Sequence, residues 1–95
     1  MAYSTSNPPT LVSKGPLTGA SQMWVYRSTD APTAVRVNGY ITNGQALGMK
    51  VGDVVIVTDT DANPVTNQLM NVVAINANGS VDLSDGVAIT ATNTD

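Results

Sequence analysis

Ninety-five residues at net charge -3, with no Phe, one Trp and three Tyr, allow one small domain whose 42% hydrophobic content is mostly Val and Ala. The four basic residues, Lys14, Arg27, Arg36 and Lys50, are scattered, which excludes the clustered cations that nucleic-acid binding needs. Without Cys or His there is no disulfide framework and no thiolate metal site, and no apolar run approaches the ~20 residues of a membrane-spanning helix.

The opening stretch, MAYSTSNPPTLVSKGPLTGA, is too rich in Ser, Thr, Pro and Gly to fold alone. Pro8, Pro9 and Lys14 interrupt any apolar run of the kind a secretory leader carries, so export by that route is not expected. Pro8-Pro9 favours an extended conformation and Pro16 stiffens it again, which lowers the entropy lost on docking. Tyr3, Leu11, Val12 and Leu17 are spaced apolar anchors along it. Residues 1–21 are therefore expected to be an extended N-terminal arm that binds a partner through Tyr3, Pro8, Pro9, Leu11, Val12 and Leu17, and residues 22–95 a single β domain.

QMWVYR (Gln22 to Arg27) reads as a strand with Trp24 and Tyr26 on one face, as core or interface aromatics or, exposed, as a sugar-stacking platform. TAVRV (Thr33 to Val37) alternates and is expected to be a second strand. Gln45, Ala46 and Leu47 suit a single helical turn, with Asn43 before it and Gly48 ending it. VVIVTD (Val54 to Asp59) is the most apolar run and the expected central strand. VTNQLMNVVAIN (Val65 to Asn76) follows as a long strand or two halves joined at a bulge. Asn78-Gly79 predicts a type I′ hairpin into VDLSD, and VAIT (Val87 to Thr90) is the last strand. About six short strands with regular turns predict an all-β fold, a small antiparallel barrel or sandwich.

Catalytic and ligand-binding patterns are incomplete. Asp59, Asp61 and Asn63 match the start of a calcium loop, but Pro64 stands where Gly is needed and Met70 where the bidentate Glu belongs. GQALGMK (Gly44 to Lys50) fails the phosphate-loop spacing, and a Ser nucleophile would have only Lys14 or Lys50 as base. Asn78-Gly79-Ser80 fits a glycosylation sequon but is better explained as the turn. No enzyme, metal or cofactor is expected.

MAYSTSNPPTLVS, WVYRSTD, GYITNG, LGMKVGD and DLSDG together resemble a group of small proteins of tailed bacteriophages found among virion structural genes. The resemblance covers nearly the whole chain and implies a virion component made in the host bacterial cytoplasm. In build the chain is also similar to capsid decoration, or cement, proteins, which combine a β-rich domain, few charges and an N-terminal arm. That similarity implies the major capsid protein as partner, a place on the capsid surface and a homo-oligomer, with a trimer favoured. The alternatives are a head- or tail-fibre adhesion module using exposed Trp24, Tyr26 or Tyr40, and a tail or connector component.

Overall fold

VVIVTD lies at the centre of the sheet. The computed structural model describes residues 3–14, 22–62 and 65–90. Its strands are β1 (Thr10–Lys14), β2 (Gln22–Ser28), β3 (Val54–Asp59), β4 (Thr66–Ile75), β5 (Val81–Leu83) and β6 (Val87–Ile89), with two helical turns, α1 (Pro32–Val35) and α2 (Gly44–Leu47). The expected all-β character is present, but Thr10–Lys14, expected in the arm, is a strand and Thr33 to Val37 is not, so the six strands are not the expected set. They form one open sheet in the order β1-β2-β3-β4-β5, with β6 also on β4, and the sheet does not close into a barrel.

The sheet is also not purely antiparallel, because β2 and β3 run parallel, Met23 opposite Val54 through Ser28 opposite Asp59. A parallel pair needs a crossover that returns the chain to the same end of the sheet. Residues 29–53, which hold both helical turns, supply it.

TAVRV lies in this crossover and is not the expected strand. Ala31 is extended, as a residue before proline prefers, and Pro32 then starts α1 with its φ preset for a helix. Only Val35 is fully buried, while Val37 is 57% exposed, so the alternation of Thr33, Val35 and Val37 does not correspond to a sheet face. Over five residues that pattern cannot separate a strand from one helical turn.

The turn through Gln45, Ala46 and Leu47 forms as expected and ends at Gly48, whose φ of 101° is left-handed. Asn43 makes no capping bond with its side chain. The 78–79 hairpin forms, but not as type I′, since among the described residues only glycines have positive φ. Gly79 N–H donates to Asn76 O at 2.9 Å and Asn76 N–H to Ser80 O at 2.8 Å, so Gly79 follows the turn as a bulge residue. β4 is one long strand with a register shift between Val72 and Ala74, the bulge its sequence suggested.

One face of the sheet carries Trp24, Tyr26, Val55, Val57, Met70 and Val72, covered by Val35, Ile41 and Met49 of the crossover and continued by Val81 and Leu83 of β5. Gly44 makes the close approach of α2 possible, because a Cβ there would lie 2.0 Å from Val81 Cγ2. By register, the other face presents Met23, Val25, Val54, Ile56, Leu69, Val87 and Ile89. All seven retain solvent exposure, and Val87 is 68% exposed. One crossover covers one face, so among the described residues this second face is left open, aliphatic at its centre with Thr58, Asn67 and Asn71 beside it.

Candidate functional site

The three tyrosines of the chain meet at one end of the covered face. Tyr3 lies 6.0 Å from Tyr26 and 5.6 Å from Tyr40 between ring centroids, and Tyr26 and Tyr40 are 6.1 Å apart. Tilted and edge-on packing of this kind favours contact between ring edges and faces. Their hydroxyls are linked: Tyr26 and Tyr40 share a bond of 2.9 Å, Tyr40 donates to the Asp30 carboxylate, and Tyr3 donates to Asn43 Oδ1 at 2.5 Å. The last bond employs the amide that would otherwise cap α2.

Asp30 is buried, and burial alone would raise its carboxyl pKa, yet hydrogen bonds to the ionised form, that of Tyr40 among them, bring it below the ordinary value. Burial, followed by the bond to Asp30, pushes the Tyr40 hydroxyl far above the usual phenol range. Burial, then the neighbouring Tyr26, also raises Tyr3, against the lowering effect of Asn43. The pair is therefore a fixed neutral donor on a fixed anion.

This cluster ties down the start of the N-terminal segment. Tyr3 is its ring contact, Asn7 Nδ2 donates to Arg27 O at 2.7 Å, Pro8 is half-buried and Pro9 is buried. Thr10–Lys14 then pairs antiparallel with β2, Thr10 opposite Val25 and Lys14 opposite Gln22. The described part of the arm is extended only from Pro8 on, since Ser4 to Asn7 make a turn closed by Asn7 N–H to Ser4 O at 3.0 Å, and it is joined to the domain's own sheet. Of the six residues expected to bind a partner, Tyr3 and Pro9 pack on this chain, Pro8 is half-buried, Leu11 and Val12 remain 41% and 57% exposed, and Leu17 lies outside the described residues. Among the described residues β1 is the outermost strand, with an unpaired edge beside those two side chains.

Trp24 and Tyr26 share a face, as their spacing predicts, but both are only 2% exposed. An exposed sugar-stacking platform built on them is overturned by the crossover that covers them. Trp24 Nε1 donates to Asp53 Oδ2 at 3.0 Å, and the same oxygen accepts from Gln22 Nε2 and Lys50 N, each at 2.9 Å. This buried carboxylate is invisible in the sequence, where Val51-Gly52-Asp53 reads as an ordinary turn. Asp59 accepts from the Asp61 backbone N–H at 3.0 Å, a local turn, and Asn63 and Pro64 lie outside the described residues. Among the described residues no three potential metal ligands cluster.

The open sheet face has a legible signal that the strand assignment passed over. VVIVTD is apolar at both parities, Val54 and Ile56 as well as Val55 and Val57, which is the pattern of a strand with two apolar faces. On this face of β2, β3, β4 and β6 only Arg27 is charged.

No family model, curated protein or solved structure matches this chain.

Proposed function

We propose that the protein is a non-enzymatic structural subunit of a tailed-phage virion, of the capsid decoration type, which attaches to the major capsid protein and stabilises the assembled shell. The resemblance to small virion proteins of tailed phages supports this class, and the edge of the sheet supplies a means of attachment. The described part of the N-terminal segment includes an edge strand, β1, whose outer side pairs with no other strand among the described residues and whose Leu11 and Val12 are exposed. An edge of this kind docks by strand addition, main-chain bonds giving affinity and exposed side chains giving specificity.

The tyrosine cluster holds β1 in place before binding, so that little ordering entropy is lost when a partner arrives. A subunit that binds assembled shell in preference to its dissociated parts stabilises it by mass action, and many copies on one lattice add avidity.

The test is co-sedimentation with purified capsids. Leu11→Asp with Val12→Asp places two carboxylates on the exposed edge without touching the core, and is expected to weaken decoration by at least about tenfold. Full occupancy by the folded double variant sinks this reading. Added wild-type protein is expected to raise the temperature at which shells rupture.

A further inference from the structure

We propose that the open sheet face is a twofold self-association surface, on which a second copy of the chain is seated sheet to sheet. The inference is independent of the shell-binding reading, which uses the β1 edge.

The face has an aliphatic centre and a polar margin. Val25, Val54, Ile56 and Leu69 form the centre, with Met23, Val87 and Ile89 around them, while Thr58 and Asn67, bonded to each other, and Asn71 and Asp85 lie at the margin. Aliphatic sheet faces reach stability by stacking on a second layer about 10 Å away. Among the described residues the crossover occupies the opposite face and none forms a second layer here.

The size fits a second copy. Five strands side by side, about 4.8 Å apart and about 17 Å long, offer roughly 400 Å² in plan and about 600 Å² of accessible surface. Two copies would bury about 1,200 Å² together, the lower bound of a stable interface. A second copy also brings a face of the same width, twist and neutrality.

Charge supplies the orientation. Arg27 sits at the β2 corner of the face, and Asp82, at the outward-facing register position of β5, lies toward the diagonally opposite corner. An in-plane twofold axis that exchanges these corners sets Arg27 of each copy toward Asp82 of the other, and opposite signs meet. Such an arrangement closes at two copies, in place of the trimer that the resemblance implies.

Sedimentation velocity on the full chain from about 1 to about 300 μM tests this, with circular dichroism to confirm folding. The wild type is expected to show a concentration-dependent monomer–dimer equilibrium. Ile56→Lys, at the centre, should weaken it by at least about tenfold; Val87→Lys, at the most exposed position of the face, should do the same without disturbing the monomer. Arg27→Asp should weaken association, and Arg27→Asp with Asp82→Arg should restore it. A monomer at every concentration, a closed assembly of another order, a dimer indifferent to both lysine variants, or a double swap that stays weakened overturns the proposal.

Discussion

Asp53 Oδ2 accepts from an indole N–H, a side-chain amide and a backbone N–H, all at or within 3.0 Å. Removing it leaves the buried Trp24 indole N–H without this partner and takes one bond each from Gln22 Nε2, which keeps Gly48 O at 3.0 Å, and from the half-buried Lys50 N–H, and burial makes the loss costly. Asp53→Ala is therefore expected to destabilise the domain by about 2–4 kcal/mol, read from urea unfolding. Gly44 poses a steric constraint: a Cβ at that position meets Val81 Cγ2 at 2.0 Å and Val81 Cβ at 3.1 Å, and Val81 is itself buried. Gly44→Ala should cost about 1–3 kcal/mol, and Val81→Ala in the same chain should recover part of it, so the two changes are not additive. Additive costs would mean that α2 moves away from β5 instead of clashing with it.

Among the elements, β1 depends most on a contact distant in sequence. Tyr3 lies 40 residues from Asn43, and with Asn7 it fixes the segment that leads into the strand. Tyr3→Ala should leave the core intact while amide exchange at Thr10–Lys14 speeds up by at least about tenfold; unchanged protection there would show that pairing with β2 is enough by itself. Strands with long or strongly apolar runs, β2, β3 and β4, were legible in the sequence, as was the helical turn ended by Gly48. The first helical turn was not, because Pro32 overrides an alternation only five residues long. The parallel seam was hidden for a different reason: strand periodicity is the same for either direction, and only the length of the crossover distinguishes them. Of the candidate site, the extended run that starts at Pro8-Pro9 was readable from its prolines, and the Ser4 to Asn7 turn before it was not. Its attachment was not, since the partners Asn43, Tyr40 and Arg27 are remote in the chain.

At the scale of the whole molecule, the core is thin, built largely of valines with one tryptophan, so the polar cluster at its edge should be visible in the pH dependence of stability. Asp30 titrates below its ordinary value of 3.8 in the folded state, so its contribution is present above that pH and is lost as pH falls through the folded value. Tyr40 titrates above its ordinary 10.0, so its contribution is whole below pH 10 and declines as pH rises toward the folded value. Thermal melts across both limbs should show these losses. Asp30→Asn is expected to flatten the acid limb and Tyr40→Phe the alkaline one. If either variant kept its limb at wild-type steepness, the linkage would lie with other groups.

The parallel pairing of β2 with β3 also sets how this protein can assemble in time. In a hairpin each successive rung joins residues farther apart in the chain, but here every paired position is 31 residues from its partner, from Met23 with Val54 to Ser28 with Asp59. One loop closure therefore serves the whole seam, and rungs formed after the first incur no further loop-closure cost. The antiparallel pairs on either side, β1 with β2 and β3 with β4, can form locally. The seam between them should then be the slow step of folding, completed all at once when the crossover closes, and changes within residues 29–53 that hinder closure should retard folding more than equal losses of stability in either hairpin.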